Sequence, residues 1–243
     1  MVASPLTAAV SALAFAAAVN AHGHVNQIIA EGVTYTGGLP HGAPSNAVGW
    51  LAGNQDNGFV EPNRFSSVDI VCHKNARPAS NTVKVRAGST VTLKWNTWPE
   101  SHKGPVIDYL ASCNGNCANV SPSSLSFAKI AQRGHNSGSN PGNWASDDLI
   151  RNGNSWTVTI PSSVAPGQYV LRHEIIALHA AGSPNGAQAY PQCINIEVTS
   201  GGSARPGGTP GTSLYRATDP GIQFNLYRSF TSYPIPGPAV WRG

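Results

Sequence analysis

The stretch TVKVRAGSTVTLKW, Thr82 to Trp95, decides the fold class. Apolar and polar residues alternate on either side of Ala87-Gly88, and a period of two is the signature of a half-buried strand. It reads as two strands joined at that turn, with Val83 and Val85, and then Val91, Leu93 and Trp95, on one face. The same period returns in SWTVTI (Ser155 to Ile160), GQYVLRHEIIAL (Gly167 to Leu178) and CINIEV (Cys193 to Val198), with turn chemistry such as Ala165-Pro166-Gly167 between runs. With 26 Gly and 19 Pro in 243 residues, this pattern predicts an all-β chain, an immunoglobulin-like (fibronectin III-like) antiparallel β-sandwich. Residues 32–68 and 130–154 show little periodicity. Loops of that length in a compact domain are uncommon and often functional. Ser200 to Thr212, SGGSARPGGTPGT, reads as a strap, because the apolar PGIQFNLY and SYPIPGPAVW that follow it should dock back on the domain.

At the other end, Met1 to Ala21 is an apolar run closed by small residues, the layout of a secretory signal peptide. A membrane-spanning helix needs about 20 apolar residues, and Ser4, Pro5, Thr7, Ser11 and Asn20 interrupt this one. The expectation is therefore a secreted, extracellular protein cut after Ala21. Residues 22–243 would then form a single domain with no second module appended. The net charge of +4, with 11% charged residues and no Lys/Arg cluster, argues against a nucleic-acid partner, and no second long apolar segment argues for a membrane. Four cysteines, Cys72, Cys113, Cys117 and Cys193, favour disulfides in such a compartment. Three pairings are open; a short turn between Cys113 and Cys117 would leave Cys72 for Cys193. Thiolate zinc sites use CxxC-type spacing, which is absent.

Eight histidines against eleven carboxylates is an unusual balance. Cleavage after Ala21 would give His22 two nitrogen donors, its imidazole and a free α-amine with a reference pKa of about 7.7–8.0. One further imidazole would complete a three-nitrogen set, and a tetragonal all-nitrogen arrangement suits Cu(II). His102 precedes the turn Lys103-Gly104-Pro105, while His179, Gln188 and Tyr190 cluster near a strand pair. Beside a metal such polar groups tune its ligands; elsewhere they make a hydrogen-bonded polar core.

Taken with SNTVKVRAGSTVTLKW, GNWASDDLI, SWTVTIP, APGQYVLRHEIIALH, GAQAYPQCINIEV and DPGIQFNLY, these features resemble auxiliary activity family 9. Its members are fungal copper-dependent lytic polysaccharide monooxygenases, once classed as glycoside hydrolases. The resemblance implies one copper ion per chain, cycling between Cu(II) and Cu(I), held by His22 and His102 as the two arms of a histidine brace with Tyr190 as the axial phenol. It implies His179 and Gln188 beside the reacting oxygen, Tyr233 in TSYPIPG as a substrate-stacking ring, and disulfides Cys72–Cys193 and Cys113–Cys117. The implied reaction is oxidative cleavage of β-1,4-glucan by hydrogen abstraction at C1 and/or C4, using O2 or H2O2 and an external electron donor. A monomer working on a cellulose or related β-glucan surface needs a flat face, which the long loops would form. One departure is visible: many relatives have His-His-Gly-Pro where this chain has His102-Lys103-Gly104-Pro105.

Tyr35, His41 and Trp50 are further surface-aromatic candidates, whereas Trp95, Trp144 and Trp156 are expected in the core. The rival readings are a glycoside hydrolase, which needs two spaced carboxylates from among Glu100, Asp108, Asp147, Asp148 and Glu174, and a non-catalytic copper- or carbohydrate-binding protein. Asn119-Val-Ser121 is a possible glycosylation sequon. His24 has no assigned role.

Overall fold

In a computed structural model of the chain, residues 22–40, 42 and 44–243 are described. The proposed signal peptide and His41 lie outside them. Two sheets face each other. The smaller holds β1 (Val25–Ala30), β2 (Val33–Thr36), β4 (Thr90–Trp95) and β9 (Ser155–Thr159) in the order β2-β1-β4-β9, all antiparallel. The larger holds β3 (Val83–Val85), β5 (Val106–Ser112), β6 (Ser126–Arg133), β10 (Gly167–Ala177), β11 (Gln188–Val198) and β12 (Thr209–Pro210) in the order β12-β6-β5-β10-β11-β3. Among the described residues, no helix is long and apolar enough to cross a membrane.

The stretch 82–95 does make two strands, but not a hairpin. β3 pairs in parallel with β11 at the edge of one sheet, while β4 lies between β1 and β9 in the other. The linking turn spans the sandwich, with Gly88 at φ +86, a conformation open to glycine without a Cβ clash. Val83, Val85, Val91, Leu93 and Trp95 therefore meet in one core from opposite walls. The alternation is the same for a hairpin and for two facing strands, and only the partner strands tell them apart.

A second apolar core lies on the outer face of the larger sheet. Ile107, Tyr109, Phe127, Val170, Ile176 and Ala189 of that sheet pack there against the long loops and the C-terminal strap, which contributes Leu214, Tyr215, Ile222 and Leu226. This explains why β10, from Tyr169 to its end at Ala177 (YVLRHEIIA), is buried on both faces. Arg172 and Glu174 point into the outer core, where the guanidinium donates to both carboxylate oxygens at 2.9 and 2.7 Å. His173 points into the inner core, accepting Trp95 Nε1–H at Nε2 (3.0 Å) and donating Nδ1–H to Asp108 at 2.7 Å.

Residues 130–154 carry more structure than their sequence suggests: the end of β6, a hairpin of β7 (His135–Ser137) and β8 (Asn143–Trp144), and helix α2 (Ala145–Arg151). These elements are too short to display a period. The strap behaves as expected, β12 pairing with the edge of β6 and Val240 bridging to Lys129. Both disulfides form as the resemblance implied, Cys72–Cys193 joining helix α1 (Asp69–Cys72) to β11 and Cys113–Cys117 closing a turn.

Candidate active site

The site gathers at one end of the sandwich, where the chain enters β1, leaves β4 and crosses from β10 to β11. His22 stands three residues before β1. Its neighbour Gly23 packs so tightly on the next loop that a Cβ would lie 2.0 Å from Thr97 O. His102 sits in the loop between β4 and β5, its carbonyl accepting Trp98 Nε1–H at 3.0 Å. Gly104 then lets that loop lie flat on β10, since a Cβ there would meet Ile176 O at 1.9 Å. Leu178 N–H donates to Lys103 O at 2.8 Å, which fixes His179 beside His102. Two glycines thus let two histidine-bearing segments close on each other.

The result is one cluster of rings. His22 and His102 lie 5.1 Å apart between centroids, His102 and His179 4.0 Å, and His22 stacks on Tyr190 at 5.6 Å. Phe59 and Trp98 enclose the group, Phe59 at 6.0 Å from both His22 and Tyr190 and Trp98 edge-on to Tyr190 at 4.9 Å. Tyr190 is buried, and its hydroxyl donates to Gln188 Oε1 at 2.7 Å. The five residues that the sequence nominated at the centre, His22, His102, His179, Gln188 and Tyr190, are therefore contiguous.

Burial sets their protonation. Desolvation lowers His102 to about 3, helped by the charges that His179 and His22 would carry. Desolvation also lowers His22, against the pull of the Asp56 carboxylate, and His179, with help from His22. All three imidazoles are neutral at neutral pH and carry a lone pair. The Tyr190 phenol is pushed upward, first by burial and then by Asp56, and stays protonated.

Among the described residues, His102 Nε2 and His179 Nδ1 are buried without a hydrogen-bond partner. Such groups are rare in folded proteins and costly. An imidazole nitrogen kept neutral, buried and unpaired is suited to coordinate a metal. Among the same residues no three His, Cys, Asp or Glu side chains form a metal-binding group. Two neutral imidazoles, His22 and His102, facing each other would fit copper together with a third nitrogen such as an α-amine.

Other nominated residues lie elsewhere. Tyr233 belongs to a separate aromatic group, edge-on to Trp144 at 4.8 Å and Phe224 at 5.0 Å, with its hydroxyl turned inward to Gly221 O at 2.6 Å. The residue as a whole is half-buried. Trp50 is not a surface aromatic: it is 5% exposed and donates to Asn195 Oδ1 at 2.6 Å. Tyr35 packs partly buried against the inner core. Trp95, Trp144 and Trp156 are buried as expected, and Asn119 is exposed.

Lys103, the departure from the usual pattern, pairs with Asp147 Oδ1 at 2.6 Å while Asp147 Oδ2 accepts Trp144 N–H at 2.8 Å. Each carboxylate of the hydrolase reading except exposed Glu100 is engaged. Asp108 holds His173 and Trp156, Asp148 pairs with Arg133 and Arg151, and Glu174 is fully buried on Arg172 and Tyr215. Sequence reasoning missed Phe59, Trp98, Asn57 and Asn96 around the cluster. No spacing rule marks a loop residue that arrives from a distant segment.

The model of Auxiliary Activity family 9 (formerly GH61) matches residues 22–233. The chain is 64% identical over 233 residues to AA9 family lytic polysaccharide monooxygenase F of Malbranchea cinnamomea, covering 96% of each. It is 57% identical to AA9 family lytic polysaccharide monooxygenase A of the same organism, covering 98% of this chain and 73% of the relative. Among solved structures, the extended catalytic domain of H. jecorina LPMO9A superposes with a TM-score of 0.88 at 51% identity, covering 91% of this chain and 92% of that one. Cel61B of Hypocrea jecorina superposes with a TM-score of 0.84 at 44% identity, covering 90% and 100%. With the ring cluster and the two-sheet fold, these likenesses lead to one conclusion: the chain belongs to Auxiliary Activity family 9, the lytic polysaccharide monooxygenases.

Proposed function

We propose that the protein is a secreted, copper-dependent monooxygenase that cleaves β-1,4-glucan chains, working as a monomer on a cellulose or related β-glucan surface. Oxidative polysaccharide cleavage is the activity of its family; copper, substrate and processing are our reading. The observation that carries it is the meeting of neutral His22 with His102, whose Nε2 is buried and unpaired. The family match begins at His22, which supports removal of residues 1–21 and hence a free α-amine at the site. Residues 22–243 then form one catalytic domain.

Copper there would supply one-electron redox chemistry between Cu(II) and Cu(I) and a position for O2 or H2O2, with electrons from an external donor and oxidation at C1 and/or C4. The residues have distinct tasks. His22 and His102 offer lone pairs without first losing a proton. Tyr190 keeps its proton on a hydroxyl directed at Gln188, so its oxygen would be at most a weak donor to the metal. His179, whose ring centroid lies 4.0 Å from that of His102, would donate a hydrogen bond to the oxygen substrate, with the Gln188 amide N–H as a second donor. Half-buried Tyr233 is our candidate for contact with a sugar ring, and exposed Asn119 for a glycan.

A mass-spectrometric product profile on cellulose with copper and ascorbate tests this. Oxidised chain ends that require both reductant and copper are expected, and His22→Ala or His102→Ala should abolish tight copper binding and cleavage. Plain reducing ends formed without reductant, or cleavage by copper-free protein, would overturn the reading.

A further inference from the structure

His24 had no role in the sequence, yet it is the most firmly attached residue of the N-terminal segment. Its main-chain N–H donates to Asn96 Oδ1 at 2.8 Å, and its carbonyl accepts Asn96 N–H at 3.0 Å. Its ring Nδ1 pairs with Asn57 Oδ1 at 2.8 Å; an amide oxygen only accepts, so the ring carries its proton on Nδ1. One residue back, Gly23 is pressed on Thr97 O, and one residue on, Val25 N–H donates to Gln192 Oε1 at 3.2 Å.

Asn57 is held in turn. It has φ +53, a left-handed conformation that asparagine tolerates better than most residues. The next residue, Gly58, donates to Asp56 Oδ1 at 2.8 Å and accepts from buried His73 Nε2 at 2.9 Å. His73 follows Cys72, whose disulfide reaches β11. The 54–59 loop and the start of the loop after β4 thus grip His24 from two sides.

This grip acquires a purpose once His22 is the first residue. A chain terminus frays unless something ties it down, and an arm that frays must be ordered each time it binds a metal. A clasp that orders it beforehand removes that cost from binding. We infer that His24, clasped by Asn57 and Asn96, is a positioning residue that pre-orders the His22 arm, so that metal affinity in this chain depends on the Asn57 side chain. The inference rests on the copper reading above.

The test uses the mature protein beginning at His22. Asn57→Gly removes the side chain while keeping the left-handed backbone accessible, and Asn57→Asp keeps an acceptor oxygen in its place. The readouts are the Cu(II) dissociation constant by chelator competition, the Cu(II) EPR spectrum, and the melting temperature of the metal-free protein. Asn57→Gly and His24→Ala should each weaken Cu(II) binding about tenfold or more, the usual effect of losing a group that orients a ligand, and shift the EPR spectrum. Asn57→Asp should stay close to wild type, and metal-free Asn57→Gly should melt near it. Unchanged affinity and spectrum in Asn57→Gly would overturn the inference, as would equal losses in Asn57→Gly and Asn57→Asp. A wild-type protein without tight Cu(II) binding would instead overturn the copper reading.

Discussion

Single residues at the site are tuned mainly by what burial denies them. His102 and His73 are both lowered by desolvation, to about 3 and about 4, against an ordinary value near 6.5. Below pH about 6.5 the unfolded chain binds protons that these folded imidazoles refuse, so more protons are bound in the unfolded state and stability falls with falling pH. The contribution is complete above the unfolded value and is lost as pH drops toward the folded values. Metal-free protein should therefore melt at progressively lower temperature from pH 6.5 to 4, and His73→Asn should flatten that slope. A melting temperature independent of pH across this window would refute the assignment. His22, His102, His179, Gln188 and Tyr190 could be picked out along the chain because they match the family's motif positions. Asn57 and His24 could not, because a clasp between residues 33 positions apart leaves no mark in either local sequence.

Elements hold the histidines at working distance. The loop carrying His102 is tied to the start of α2 through Lys103, whose ammonium pairs with Asp147 at 2.6 Å with side chains only 20% and 11% exposed. Lying between exposed pairs and fully buried ones, it should contribute about 1–2 kcal/mol. Lys103→Ala is expected to lower the melting temperature by a few degrees while leaving Cu(II) affinity within about twofold, since the ammonium faces Asp147. A calorimetric scan and a chelator titration on one preparation check both halves. Gly104→Ala is the harsher change. Its Cβ would stand 1.9 Å from a main-chain oxygen of β10, and backbone cannot swing aside as a side chain can. A loss of about 2–4 kcal/mol, read by denaturant unfolding, is expected, together with weaker copper binding. β3, β4, β9, β10 and β11 were legible from period two, but the pairing of 82–95 was not. Apolar residues on β3 and β4 satisfy the same alternation whether the strands are neighbours in one sheet or opposite walls of a sandwich.

Across the whole molecule, the two disulfides have unequal tasks. Cys72–Cys193 closes a span of 121 residues and Cys113–Cys117 one of 4. On a chain-entropy account the first contributes about 5 kcal/mol and the second about 2. Replacing Cys72 and Cys193 by Ser should lower the melting temperature by several degrees more than replacing Cys113 and Cys117, and the reverse order would count against the account. The longer bridge also backs the loop that carries Asn57, so its loss should weaken Cu(II) binding as well. The amino-acid sequence alone was enough for the class of the fold, the five strands with a clear period and the residue types that gather in the histidine cluster. Those depend on local periodicity and on residue types at matched positions. Long-range packing settled the rest: which sheet each strand joins, that β10 and β11 are buried on both faces, that Tyr233 belongs to a separate aromatic group, and that His24 is clasped. Each of these is a contact between segments far apart in the chain, set by packing rather than by local sequence.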